Sequence, residues 1–186
     1  MTSTSDRAGG NGGPAIDVRD LVKTFPAKRR QVEAVRGITF SVAPGERVAY
    51  IGPNGAGKST SIKILTGILH ATSGDVAVLG LVPWRERRRL TRRIGTLFGQ
   101  RSQLWFELTP RQSFRMLAAI HRIDRPDAAA RVAELAELLD AAELFDQPVR
   151  SLSLGQRMRC ELAACMLHRP EILFLDEPTI GLDLLA

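Results

Sequence analysis

The sequence predicts an α/β fold, a mostly parallel sheet interrupted by an all-helical block, and three observations point there. A β-type run, Arg47 to Ile51, leads through a glycine-rich turn into a helical pattern that starts at Lys58. Ile172-Leu173-Phe174-Leu175 is a continuous apolar run closed by Asp176-Glu177, which suits a strand covered on both faces of a parallel sheet. Between these two, from about Gln103 to Leu167, the apolar spacing is helical.

Composition sets the bounds. The chain has 186 residues, 44% of them hydrophobic and 25% charged, enough for one domain with an inserted subdomain. No apolar run reaches the roughly 18 residues that a membrane-spanning helix needs. Residues 1–14 are Ser/Gly-rich, without a secretory apolar stretch, and are expected to form a disordered tail. The expectation is a cytoplasmic protein that touches a membrane only through a partner. A net charge of +6 suits phosphate ligands, nucleic acid or an anionic membrane face, and does not choose among them. Cys160 and Cys165 share a helical stretch, where their Cα atoms stand roughly 8 Å apart, too far to bridge. Both read as small, reduced packing residues.

Taken in order, Ile16–Val22, Ala34–Val42 and Arg47–Ile51 are strand-like, the last two separated by the turn signal Pro44-Gly45. The helix from Lys58 places Ile62, Ile64, Leu65 and Ile68 at helical spacing. After Ser73-Gly74 come a strand-like Asp75–Leu79, an arginine-dense segment Trp84–Arg93, and a strand Ile94–Phe98. Thr109-Pro110-Arg111-Gln112 reads as a capping box with proline at the first helical position, and Phe114, Leu117, Ala118 and His121 line one face beyond it. A second helix, Asp127–Leu139, carries Val132, Leu135 and Leu139 as its stripe. A third, Leu154–Leu167, stops before Arg169-Pro170.

Chemistry concentrates at three places. Gly52-Pro53-Asn54-Gly55-Ala56-Gly57-Lys58-Ser59 follows a strand and opens a helix, the context in which G-x-x-x-x-G-K-[ST] binds phosphate. Glycines let main-chain amides wrap a phosphate, and the helix dipole favours the anion. Lys58 is expected to reach the β- and γ-phosphates, and Ser59 to take a Mg²⁺ position. At the end of the apolar run, Asp176 suits indirect contact with Mg²⁺, while Glu177 points elsewhere and could polarise a water for attack on the γ-phosphate. In Leu152-Ser153-Leu154-Gly155-Gln156, Ser153 and Gln156 form a second capping box, which leaves a helix N-terminus facing outward.

The phosphate loop, that segment, and Leu175-Asp176-Glu177-Pro178-Thr179 with Gly181-Leu182-Asp183 stand in the order found in the ABC ATPase superfamily, which the chain resembles from about Ala15 to Ala186. The resemblance implies a P-loop NTPase core, an N-terminal antiparallel β-subdomain and an inserted helical subdomain. It divides the chain into 15–102 (first part of the ATP-binding core), 103–168 (helical subdomain with the signature) and 169–186 (return strand and D-loop). It further implies that Gly52 to Thr60 hold ATP, that Phe25 stacks on adenine, and that Gln100 meets Mg²⁺ and the attacking water. Ser153, Gly155 and Gln156 would contact the γ-phosphate held by a second copy, with Asp183 helping to align the pair. Implied partners are that second ATP-binding subunit, in a homodimer, and transmembrane permease subunits. Nucleic acid is not expected, and the place of action is the cytoplasmic face of the cell membrane.

Two departures stand out: Leu154 occupies a position where the common signature has glycine, and Phe98-Gly99-Gln100-Arg101-Ser102-Gln103-Leu104-Trp105 resembles the ABC-2-type exporter branch. Family members also carry a further core strand that ends in a histidine. His70, His121 and His168 all precede Asp176, so the expectation is a C-terminally incomplete core with an unpaired sheet edge and poor turnover. The readings that compete with an exporter subunit are a soluble ABC ATPase acting on ribosomes or DNA, and a non-catalytic nucleotide-binding fragment. Elsewhere blander readings lead or tie. The arginines at 85, 87, 88, 89, 92 and 93 form a solvated face or a lipid-facing one, Trp105 and Phe106 either dock a partner or pack in the core, and His121 is a packed histidine.

Overall fold

The structure is a computed structural model, and it describes residues 13–27, 30–98 and 102–176. Two long segments in which Val, Ile and Thr recur between polar residues, β1 (Ile16–Ala27) and β2 (Arg30–Val42), pair antiparallel, with Ile16 opposite Val42 and Phe25 opposite Val32. Strand β3 (Ser73–Val78) adds to the other edge of β1, giving the order β2-β1-β3. The sheet's inner positions alternate with its outer ones, so Val18, Leu21, Val35, Val76 and Val78 are buried while Arg19 and Arg36 face water. Helix α1 (Lys58–Leu65) covers that apolar face with Ile64 and Leu65.

A second sheet is parallel. Strands β4 (Ile94–Phe98) and β5 (Ile172–Asp176) run side by side with Ile94 opposite Ile172 and Phe98 opposite Asp176. Their entrances are pinned by Arg93, whose Nε and Nη2 donate to the two carboxylate oxygens of Glu171 at 2.6 and 2.8 Å. This bidentate pair holds the Arg93 guanidinium above its ordinary range and the Glu171 carboxyl below its own, each through the side-chain hydrogen bond.

Between β4 and β5 lies the helical block. Helix α2 (Arg87–Leu90) is a single turn before β4; α3 (Pro110–His121), α4 (Arg125–Leu138) and α5 (Leu154–Met166) follow. Both anticipated capping boxes are present: Thr109 with Gln112 opens α3, and Ser153 with Gln156 opens α5. Phe114 and Phe145 meet edge to face at 4.8 Å in the centre of this block, packed with Leu135 and Val149. Fully burying side chains of this size contributes about 1.5–3 kcal/mol each.

One element differs from the sequence reading. Arg47–Ile51 is not a strand: it has no ladder partner among the described residues, and Val48 and Ile51 are exposed. Strand propensity is present there, but a strand exists only where a neighbour accepts its hydrogen bonds. The strands β1 and β2 are longer than their patterns suggested, because they support each other across a register with bulges that the alternation alone does not disclose. Among the described residues no helix is long and apolar enough to cross a membrane.

Candidate functional site

The glycine-rich turn enters α1 without a side-chain cap. Gly57 is the N-cap at φ 86, and no acidic residue stands in the first turn. Helix geometry leaves the first-turn amides without intrahelical acceptors, so the end of α1 is an uncapped, electropositive cradle. The conformation requires glycine: a Cβ on Gly57 would stand 2.1 Å from the Ala34 carbonyl oxygen of β2. The loop closes on itself through Ala56 N–H donating to Pro53 O at 3.1 Å.

Lys58 folds back over this loop, its Nζ donating to the carbonyls of Gly52 at 2.6 Å and Pro53 at 2.9 Å. The ammonium thus sits at the centre of the turn, held by weak acceptors that a phosphate oxygen can replace. Next along, Ser59 Oγ donates to Asp176 Oδ1 at 3.1 Å. Residues 117 positions apart therefore place a hydroxyl and a carboxylate side by side at the mouth of the loop. Oxygen donors of this kind suit a hard divalent cation, so the residues present fit Mg²⁺.

The signature segment forms the N-terminus of α5. Ser153 Oγ accepts from Gln156 N–H at 3.3 Å, and Gln156 Oε1 accepts from Ser153 N–H at 2.9 Å. The box commits one lone pair of each side chain, while the Ser153 hydroxyl proton stays available to a ligand. Leu154, where glycine was the common residue, is exposed and leaves the cap geometry intact.

Phe25 sits near the end of β1, half-buried, with Lys23 Nζ 4.9 Å from its ring centroid. Gln100, Glu177 and Asp183 lie outside the described residues, so their expected roles have no geometry attached. Trp105 and Phe106 are exposed, which settles the packing alternative against the core; Leu104 is the buried neighbour instead. Five of the six arginines in the 85–93 segment are exposed, whereas Arg93 is the structural tie to Glu171. His121 is packed, its ring stacked on His168 at 4.0 Å. Both cysteines are free and buried.

Sequence reading missed Glu161. It lies in α5, only 4% exposed, and its carboxylate accepts from Gln103 N–H at 2.9 Å and from the Ser102 hydroxyl. The available signal was one acid inside the apolar stretch Cys160 to Ala164.

The sequence profile of the ABC transporter family matches residues 35–180. The chain is 29% identical over 169 residues to the ABC transporter ATP-binding protein NatA of Bacillus subtilis, covering 91% of this chain and 69% of that protein. It is 40% identical over 169 residues to the daunorubicin resistance ATP-binding protein DrrA3 of Streptomyces coeruleorubidus, covering 91% of this chain but only 52% of that protein. Among solved structures, a dimeric bacterial ABC transporter cassette, MJ0796, superposes with a TM-score of 0.79 at 25% identity, covering 90% of this chain and 76% of that one. The chain thus spans between half and about seven tenths of the curated relatives' length.

Proposed function

This chain belongs to the ABC transporter family, and from that premise we propose that it is an ATP-binding, ATP-hydrolysing subunit that powers export through separate membrane-spanning chains. One observation carries the reading: the uncapped amides after Gly57, the Lys58 ammonium and the Ser59–Asp176 pair converge on a single loop. That combination offers a triphosphate its amide donors, its counter-charge and its metal ligands at once. The export reading draws support from the daunorubicin relative, a resistance ATP-binding protein.

In this proposal Gly52 to Thr60 wrap the phosphates, Lys58 neutralises the β- and γ-oxygens, and Phe25 faces the adenine. Ser59, Asp176 and Gln100 hold Mg²⁺, which when bound offsets charge on the phosphate oxygens. Glu177 orients a water and takes its proton as the water oxygen bonds to the γ-phosphorus and the bond to the ADP oxygen breaks. Ser153, Gly155 and Gln156 of a second copy close over the γ-phosphate, as the dimeric cassette relative suggests. The division into 15–102, 103–168 and 169–186 follows the same logic, the middle part carrying the signature toward the partner's nucleotide. The work is done at the cytoplasmic membrane face, reached through the permease.

Calorimetry tests this directly. Saturable Mg²⁺-dependent ATP binding is expected, and Lys58→Ala should weaken it at least about tenfold, the value of one lost charge-assisted contact of 1.4 kcal/mol or more. Binding that ignores both magnesium and the Lys58 substitution would overturn the assignment.

A further inference from the structure

Glu161 sits where three parts of the molecule meet. Its Cα belongs to α5, the helix that begins at Ser153. Its two carboxylate oxygens hold Ser102 and Gln103, which lie a few residues beyond the end of β4. Gln103 in turn donates from Nε2 to the Thr96 carbonyl of β4 at 2.8 Å, and β4 is paired to β5, whose last residue is Asp176. Ser102 Oγ also receives Leu104 N–H at 3.1 Å, so the segment is closed into a tight turn around the carboxylate.

A carboxylate 4% exposed is expensive to bury, and removing it leaves the Gln103 amide without its acceptor and the Ser102 hydroxyl with only the Leu104 carbonyl at 3.0 Å. Packing does not ask for an acid here, since the flanking Cys160, Ala163 and Ala164 are apolar and fully buried. What the acid does is join two bodies. Without it, α5 meets β4 through apolar surface such as Leu97 against Met158 and Cys165, and the polar tie that remains, His168 Nε2 against the Ile94 carbonyl at 3.0 Å, lies just beyond the end of the helix far from Ser153. With it, the hydrogen-bond chain from α5 through Glu161 and Gln103 to Thr96 fixes distance and angle.

We propose that Glu161 is a positioning residue: it locks the signature helix to the strand pair that carries Asp176, so that Ser153 and the phosphate loop hold a fixed mutual geometry. The use of that geometry rests on the proposed closure of two copies around ATP; the lock itself does not.

The test is a distance measurement. Cys160 and Cys165 are buried, and burial, together with the Glu161 charge, pushes each thiol up to about 12, so neither competes for thiol reagents at neutral pH. Spin labels can therefore be placed on Leu154→Cys at the exposed start of α5 and Asp75→Cys on the exposed face of β3. Pulsed electron resonance on the full chain without nucleotide should give one narrow distance distribution. Glu161→Ala should broaden it at least twofold. Glu161→Gln should leave it narrow, because its amide oxygen still accepts from Gln103 N–H and its NH₂ can donate to Ser102 Oγ.

Should Glu161→Ala fail to fold, the paired substitution Ser102→Ala with Gln103→Ala removes the partners from outside the helix and should broaden the distribution likewise. Distributions that stay narrow in every variant would overturn the lock, as would a Gln variant as broad as the Ala variant. Affinity for a fluorescent ATP analogue should change less than threefold in all of them, since no phosphate-loop contact is touched. A parent chain that binds no nucleotide would count against the ATPase reading while leaving the distance result intact.

Discussion

Gly57 and Gly55 allow a quantitative test of how the phosphate loop is built. Both have positive φ, 86° and 81°, so alanine at either costs about 1–2 kcal/mol in backbone strain. Their surroundings differ. A Cβ on Gly55 meets nothing within 4 Å, whereas one on Gly57 lands 2.1 Å from the Ala34 carbonyl oxygen and 3.3 Å from a Val35 methyl. Backbone in the β1–β2 ladder cannot move aside as a flexible side chain would, so the Gly57 variant adds an overpacking cost of about 1–3 kcal/mol. At about 2–4 °C per kcal/mol for a domain of this size, Gly55→Ala should lower Tm by about 2–8 °C and Gly57→Ala by about 4–20 °C. Melting followed by circular dichroism reads the difference, and calorimetry with Mg-ATP should show the Gly57 variant losing at least about tenfold in affinity. Equal destabilisation by the two variants, or a larger loss at Gly55, would refute the claim that contact with β2 sets the loop's position.

Ser153→Ala removes the N-cap of α5 and should cost about 1 kcal/mol in urea unfolding, with Ser153→Asn nearly neutral; an unchanged midpoint for the alanine variant would show that the box contributes nothing. Burial, and secondarily the neighbouring His168, lowers the His121 pKa to about 4 from an ordinary 6.5. His168 is lowered too, by burial, against the opposing effect of its contact with the Ile94 carbonyl. Below about pH 6.5 the unfolded chain takes up protons that the folded one refuses. Stability is therefore complete above that pH, falls as pH drops toward 4, and levels beneath it. Because the His121 ring is partly solvated, the loss from this residue is about 1–2 kcal/mol. His121→Phe should flatten the slope between pH 7 and 5, and a slope identical to the parent's would exclude the stacked pair as its source.

Local pattern disclosed a good deal of this. The capping boxes at Thr109 and Ser153 were legible because a cap is completed by residues three positions apart, and both formed as read. The phosphate loop was legible for the same reason: glycine, lysine and serine act within one turn. The apolar run from Ile172 to Leu175 was legible as a parallel strand, and it pairs with β4, but Leu173 and Leu175 are exposed among the described residues, so the strand is covered on one face and not on both. Arg47–Ile51 looked equally strand-like, yet it has no partner among the described residues and takes no regular form.

What composition and spacing alone determined were the α/β class and the capped starts of α3 and α5, since those depend on neighbours along the chain. Tertiary structure alone brought Ser59 against Asp176, Arg93 against Glu171, and Glu161 against Ser102 and Gln103. Such contacts join residues 58 to 117 positions apart. No periodicity encodes which distant group will arrive, because that is set by how whole helices and strands pack.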